Sequence, residues 1–444
     1  MKDDTYKIIN IAYEKYLSWG IDLDDTLKSP EDIMLLVERQ KKYDDFVKKL
    51  SSNKNILKYL QQLLTESETW ALNVVIVHIG LLSKDESLFN LENQKTHLAI
   101  VEALSYCSQE IIEFWFEHLI VIAKQFELNV IDYYAHFVAT NCLKEYVKYF
   151  LNEEENLILN DYSTHLMLAY TEHKNAKELL LKDMFDTNSE TSTSAANALL
   201  ILGEEQGMDF FRRLLINDEY YEDNGREIAL FGNKSDVILL QNYFDRNNDD
   251  TDILNRIHLN GSKELIIYFS HIIRTNTIDE VKNIASFYIK TTYLQKNISK
   301  KFTKLLKTKD YKELVQVWDT WTKDNYNEYI DQRYYKYKKP FNIKQTLLEV
   351  KMNFNDPIGF ARWQRLAIYT GKRLPFDPKA YYEKQLSQNK AMEDWIEHNI
   401  DQFPDGRWYR FGKDVTNEIS PLIDINNNTT VLDQNLVPKI HSQG

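Results

Sequence analysis

Ser194-Ala195-Ala196-Asn197-Ala198-Leu199-Leu200-Ile201-Leu202-Gly203 opens a stretch, running to about Thr275, in which one helical unit is spelled three times at one interval. Gly203, Gly232 and Gly261 stand 29 residues apart. Counted forward from each glycine, positions +5, +7, +8, +11 and +12 read Met208, Phe210, Phe211, Leu214 and Leu215, then Val237, Leu239, Leu240, Tyr243 and Phe244, then Ile266, Tyr268, Phe269, Ile272 and Ile273. Every one is apolar or aromatic. These offsets fall on one stripe of a 3.6-residue helix, so each unit carries an apolar face that it cannot bury alone. Stacking the units buries those faces. The register therefore predicts an all-α solenoid of antiparallel helix pairs, with Phe210, Leu240 and Phe269 in its core.

The signal can be followed backwards with longer spacings of 30, 31 and 35 residues. His173 aligns with the glycines, and Leu180, Leu181, Met184 and Phe185 take offsets 7, 8, 11 and 12, although Glu178 breaks offset 5. Cys142 is followed by Val147, Tyr149 and Phe150, and Cys107 by Ile112, Phe114, Trp115 and Leu119. Loop variation between stacked pairs accounts for such drift. The organisation expected is a helical N-terminal cap over 1–70, a repeat array over 71–290, a basic, aromatic-rich helical unit over 291–415 and a flexible tail over 416–444. Ser29-Pro30-Glu31-Asp32 is a helix start, and Tyr6, Ile9, Tyr13 and Tyr16 are helically spaced, as a cap requires.

The unit Ala195-Ala196-Asn197-Ala198-Leu199 to Leu202-Gly203, with Gly207, Leu214, Leu215 and Asp218, resembles the short HEAT-like repeats of the phycobilisome-lyase type. In that family paired alanines let helices approach closely and a leucine-glycine step ends the first helix. Gly232 and Gly261 keep the turn without the alanines. The resemblance implies a protein-binding scaffold more often than an enzyme, and it transfers no catalytic residue.

Composition agrees with helices. The chain has 444 residues, 43% of them hydrophobic, with only 12 Gly and 8 Pro, too few for many tight turns. Its net charge of −13 is unevenly spread: residues 1–300 carry 31 Lys and Arg against 48 Asp and Glu, whereas 301–413 carry 22 against 15. An acidic body with a basic end is a statement about partners. No apolar signal core follows Met1 and no run is long enough to span a bilayer, so the expectation is a cytoplasmic protein. Low glycine with abundant Asn, Lys and Ile suggests an AT-rich bacterial source. The two cysteines, Cys107 and Cys142, lie in apolar helical stretches and form neither a disulfide framework nor a metal spacing.

Motifs that carry chemistry are missing. There is no phosphate-cradling glycine loop, no Cys-x-x-Cys, no His-Glu-x-x-His and no Gly-x-Ser-x-Gly. The neighbours Glu117-His118, Glu172-His173 and Glu397-His398 point about 100° apart on a helix and make no dyad. Thr370-Gly371 reads as a helix end rather than a phosphate loop. The expectation is no catalytic residue, metal or organic cofactor.

Basic and aromatic residues do cluster, in three short segments that supply Arg333 and Tyr335, Arg362 and Trp363, and Arg407, Trp408 and Arg410. Trp, Tyr and Arg are favoured anchors of protein interfaces, so these seven are the candidate partner-binding residues. Two readings stay open: a recognition patch, or an internal cap whose rings are buried and whose cations pair with the acidic repeats, the latter favoured for Trp363 and Trp408. The acidic body argues against nucleic acid as the partner. The function expected is a non-enzymatic scaffold or adaptor, with an immunity protein that masks a cognate toxin as the alternative and a nucleic-acid-binding or DNA-repair HEAT-like protein ranked below both.

Overall fold

A computed structural model describes residues 70–374 and 394–419 except for 90, 92, 126–127, 220–223, 294–295, 330–334, 337–338 and 353–356, together with 45, 47–52, 60, 423–424 and 429–430. The expected N-terminal cap and C-terminal tail lie almost wholly outside these described residues. What is described is predominantly helical, and its strands are confined to two-residue antiparallel ladders. Among the described residues no helix is long and apolar enough to cross a membrane.

Two compact units emerge. Unit 1 comprises Met1–Leu202, Leu347–Arg365 and Arg373–Glu397; unit 2 comprises Gly203–Thr346, Leu366–Lys372 and His398–Gly444. The array expected over 71–290 is thus divided between them, and each unit includes later segments of the chain.

Unit 1 contains α1 (Trp70–Ser83), α2 (Gln94–Leu104), α3 (Gln109–Ala123), α4 (Leu128–Asn141), α5 (Tyr162–Thr171), α6 (Ala176–Asp183) and α7 (Ser189–Leu202). Local chemistry sets their ends. Asn93 caps α2 by accepting the Lys95 N–H at 2.9 Å, and Asp161 with Thr164 forms a capping box at the start of α5. Glu172, at φ 50°, ends α5 in the left-handed region. The inward face of α3 is Ile111, Ile112, Trp115, Phe116, Leu119, Ile120 and Ala123, a spacing of three and four. Helix packing runs α2 to α4, α4 to α5 and α5 to α7, with α6 against α7. Cys107 is buried and Cys142 half-buried, and neither is in a disulfide.

Unit 2 contains α8 (Gln206–Ile216), α9 (Asn224–Phe231), α10 (Lys234–Arg246), α11 (Thr251–Asn260), α12 (Leu265–Thr275), α13 (Asp279–Thr292), α14 (Lys296–Thr308) and α15 (Tyr311–Asn325). Here α9 packs on α11 and α11 on α13, while α8 packs on α10 and α12 on α15; consecutive helices also touch, as in α10 with α11 and α12 with α13. In α15, Trp318 and Trp321 are buried and stacked at 4.7 Å between centroids. Leu314 rather than Val315 completes that inward face.

The 29-residue register can be read position by position. Offsets +5, +8 and +12 are buried in all three copies: Met208, Phe211 and Leu215; Val237, Leu240 and Phe244; Ile266, Phe269 and Ile273. Leu240 and Phe269 therefore lie in the core as expected. Phe210 does not: it is half-buried, and its neighbour Phe211 takes the interior place. Geometry explains the correction. Down a helix, +5, +8 and +12 fall within about 60° of one another, +9 lies about 70° from their centre, and +7 about 130° away. A side chain at +7 therefore lies outside that face, where Phe210 and Tyr268 are half-buried and only Leu239 is buried, and one at +9 is nearer its middle.

The three glycines share a spacing but not a cause. Gly261 ends α11 at φ 67°, and a Cβ there would collide with the carbonyl oxygen of Tyr335. Gly232 needs no unusual φ; an added Cβ would run into the Ile228 carbonyl oxygen and Asp236. At Gly203 there is open space, and only its φ of 93° favours glycine.

Candidate interaction site

The register position at +9 carries polar residues that periodicity alone would assign to apolar ones. In unit 2 it is filled by Arg212, Gln241 and Ser270; in unit 1 the neighbouring offset +10 from His173 is Asp183. Arg212, Ser270 and Asp183 are buried. Each buried charge needs a partner, because an uncompensated ion inside a protein is costly.

Arg212 answers that need with a fork. Its Nε and Nη2 donate to the two carboxylate oxygens of Asp236 at 2.7 and 3.0 Å, and its Nη1 donates to Glu205 at 3.0 Å and Asp209 at 2.8 Å. Burial alone would lower its pKa, but Asp236, Glu205 and Asp209 together hold it well above the ordinary arginine value. Asp236 Oδ2 also accepts the Asn233 N–H at 2.8 Å, so one carboxylate both caps α10 and neutralises Arg212.

Glu205 links this pair to a predicted site residue. Arg410, on the hairpin β1 (Tyr409–Arg410) and β2 (Lys413–Asp414), donates from Nε and Nη2 to Glu205 at 3.0 and 2.8 Å. Its Nη1 donates to the Phe231 carbonyl at 2.7 Å, and Nη2 reaches Glu418 at 3.2 Å. The Arg410 side chain is 3% exposed. The result is a chain of opposite charges running Asp236, Arg212, Glu205, Arg410, Glu418 inside unit 2. Beside it, Arg407 is half-buried and donates to Asp414 at 2.7 Å. Burial raises the Asp414 pKa, but hydrogen bonds from Thr416 and Arg407 outweigh that and hold it below the usual carboxylate value.

The aromatic candidates also turn inward. Trp408 is buried against Phe341 at 4.5 Å and Tyr369 at 6.2 Å between centroids, and Tyr369 meets Phe231 at 5.2 Å. Backbone bonds fix the hairpin there: Phe411 N–H to Ile368 O at 2.6 Å and Gly412 N–H to Tyr369 O at 2.9 Å. Tyr335 is buried, and its N–H donates to Gly261 O at 2.7 Å. Arg333 lies outside the described residues.

In unit 1, Trp363 stacks on Tyr170 at 4.0 Å between centroids with 12° between planes, and its Nε1–H donates to Leu374 O at 2.9 Å. Arg362 beside it is half-buried. Arg373, not among the candidates, does more: Nε donates to Glu172 at 2.9 Å and Nη1 to the carbonyls of Ile201 and Leu202 at 2.9 and 3.3 Å. It thus places a cation on the C-terminal end of α7, where the helix dipole favours one. Thr370 does end its helix, and Gly371 follows at φ 66°.

Unit 1 contains one arrangement that the sequence motifs did not announce. His165, completely buried, meets Ser194 Oγ through Nδ1 at 2.5 Å and Asp183 through Nε2 at 3.0 Å. His165 stands on α5 and Ser194 on α7, two helices that pack against each other. Hydroxyl, imidazole and carboxylate in series are the groups of acyl-transfer enzymes, in which the hydroxyl must reach a substrate carbonyl. Here Ser194 is also buried and shares its hydroxyl with the Thr191 carbonyl at 3.1 Å, so the series satisfies a buried histidine between helices. Burial pushes the Cys142 thiol up to about 12, which disfavours the thiolate. Among the described residues no group of three or more His, Cys, Asp and Glu is placed to hold a metal ion. Compared with protein-family models, curated proteins and solved structures, the chain matches none.

Proposed function

We propose that the chain is a non-enzymatic, protein-binding scaffold built from HEAT-like helix pairs. The observation that carries this reading is the recurring register: in unit 2 the offsets +5, +8 and +12 are buried in every copy, and helices pack on the next and on the next but one, as α9, α11 and α13 do. A stack of that kind spends its apolar faces on its neighbours and presents the outer faces of successive helices to a partner. The buried polar groups fit the same reading. Arg212, Arg410 and His165 bond to residues of their own units, which stabilises packing and leaves them out of reach of a substrate.

Of the two readings of the basic-aromatic segments, the burial of Trp363, Trp408 and Arg410 favours internal bracing. Arg407→Ala with Arg410→Ala is then expected to lower the melting temperature, with any loss of partner capture tracking unfolding. The scaffold itself is tested by cross-linking and mass spectrometry on the full chain expressed in its source cell. A stoichiometric protein partner captured by helix faces is the expected result. Turnover of a substrate, abolished by one substitution that leaves the fold intact, would overturn the reading.

A further inference from the structure

Within unit 2, α14 carries an unusual charge pattern. Residues 281–309 contain eight lysines and no Asp or Glu, in a chain whose net charge is −13. The helix turns Phe302 and Leu305 inward and leaves Lys300, Lys301, Lys304 and Lys307 exposed. Lys300, Lys304 and Lys307 follow the i, i+4, i+7 spacing that puts side chains on one line, about 10 Å long at the helical rise.

Several cations of unit 2 are answered by nearby acids. Arg246 pairs with Asp218 at 2.6 Å, Lys234 with Glu264 at 2.9 Å and Lys309 with Asp279 at 3.3 Å. Even on α14, Lys301 reaches Glu313 at 3.3 Å. For Lys300, Lys304 and Lys307 no carboxylate lies within ion-pair distance among the described residues. Three like charges in line repel one another, and an anionic partner laid along them removes that cost.

We propose that this line of lysines docks a short acidic helix of a partner protein, one with carboxylates at i, i+4 and i+7. The proposal rests on the scaffold reading and names the chemistry of its partner. A matching helix repeats its carboxylates at the same rise as the lysines, so three pairs form in one register. A membrane surface would require apolar side chains beside the cations, and Phe302 and Leu305 of α14 point inward. A nucleic acid extends its charge far beyond three lysines, where the net charge of the chain opposes it.

The test uses the full chain and fluorescence anisotropy with three probes: a short helical peptide bearing glutamates at i, i+4 and i+7, the same peptide with glutamines, and a short DNA duplex. The glutamate peptide is expected to bind best and to weaken with added salt. Lys300→Glu with Lys304→Glu and Lys307→Glu should reduce its affinity roughly tenfold or more, at an unchanged melting temperature, because exposed ion pairs are replaced by repulsions. The corresponding triple Lys→Arg variant should retain binding. Equal binding of glutamate and glutamine peptides, or of the peptide by wild type and charge-reversed protein, would refute the lysine line and leave the scaffold reading to its own cross-linking result. Preference for the duplex over the peptide would overturn the acidic-helix occupant.

Discussion

Replacing Arg212 with Met removes one charge from a pair in which neither side chain has any solvent exposure. Met keeps most of the aliphatic volume, so the change isolates the guanidinium from the packing around it. Asp236 would then retain the Asn233 N–H, at 2.8 Å, but lose both bonds from Arg212. Breaking a buried pair by deleting one partner costs about 3–5 kcal/mol. With each kcal/mol shifting the midpoint of a unit this size by about 2–4 °C, the variant should melt about 6–20 °C lower. Asp236→Asn alone keeps the cap acceptor but leaves the guanidinium without its main counter-charge. The double variant Arg212→Met with Asp236→Asn removes both charges and keeps the Asn233 bond, so it should recover about half or more of the single-variant loss. Urea unfolding followed by circular dichroism, read as a double-mutant cycle, measures the coupling. A loss under about 1 kcal/mol for Arg212→Met, or a double variant equal to the sum of the singles, would refute the claim that this pair is a charge-compensated core element.

Phe269→Ala should cost about 3–5 kcal/mol and Phe210→Ala roughly 1–2 kcal/mol, because the first empties a fully buried site and the second a half-buried edge; equal costs in urea unfolding would contradict the register. Asp132 provides a pH test: burial and the neighbouring Asp161 outweigh the hydrogen bond from Ser163 and raise its carboxyl to about 6. A carboxyl whose pKa rises on folding stabilises below its unfolded value, and that stability is lost as pH climbs from about 4 through 6. Discounted for its partial exposure, the effect is about 1–2 kcal/mol, and Asp132→Asn should flatten the profile across this window and raise stability at neutral pH. Gly203→Ala, which meets open space, should cost only about 1–2 kcal/mol of backbone strain, whereas Gly261→Ala should cost more because it also drives a Cβ into Tyr335; a reversed order in thermal melts would exclude this account of the glycines.

Periodicity in the sequence was enough to mark the helices of the repeat stretch and most of their inward faces. Leu240, Phe269, Trp318 and Trp321 are buried where a 3.6-residue repeat puts them, and Thr370-Gly371 ends a helix as its chemistry requires. These properties are local: spacing, caps and turn residues act over a few positions, and each can be read from the chain alone. The choice between Phe210 and Phe211 could not, since both are apolar and only the orientation of the face ranks them. Nor could the role of the +9 position, where a polar residue in an apolar pattern signals either a defect or a buried network, and Asp236 decides for Arg212. The basic-aromatic segments depended on tertiary structure most of all. Arg410 meets Glu205 across 205 positions of sequence, Arg373 meets Glu172 across 201, and Trp363 lies on Tyr170. Composition shows that such residues are present, but whether an arginine faces a partner or the helices of its own chain depends on the path of the backbone between them. That path is set by packing of apolar faces that carry no label for their mates, so it exists only once the chain has folded.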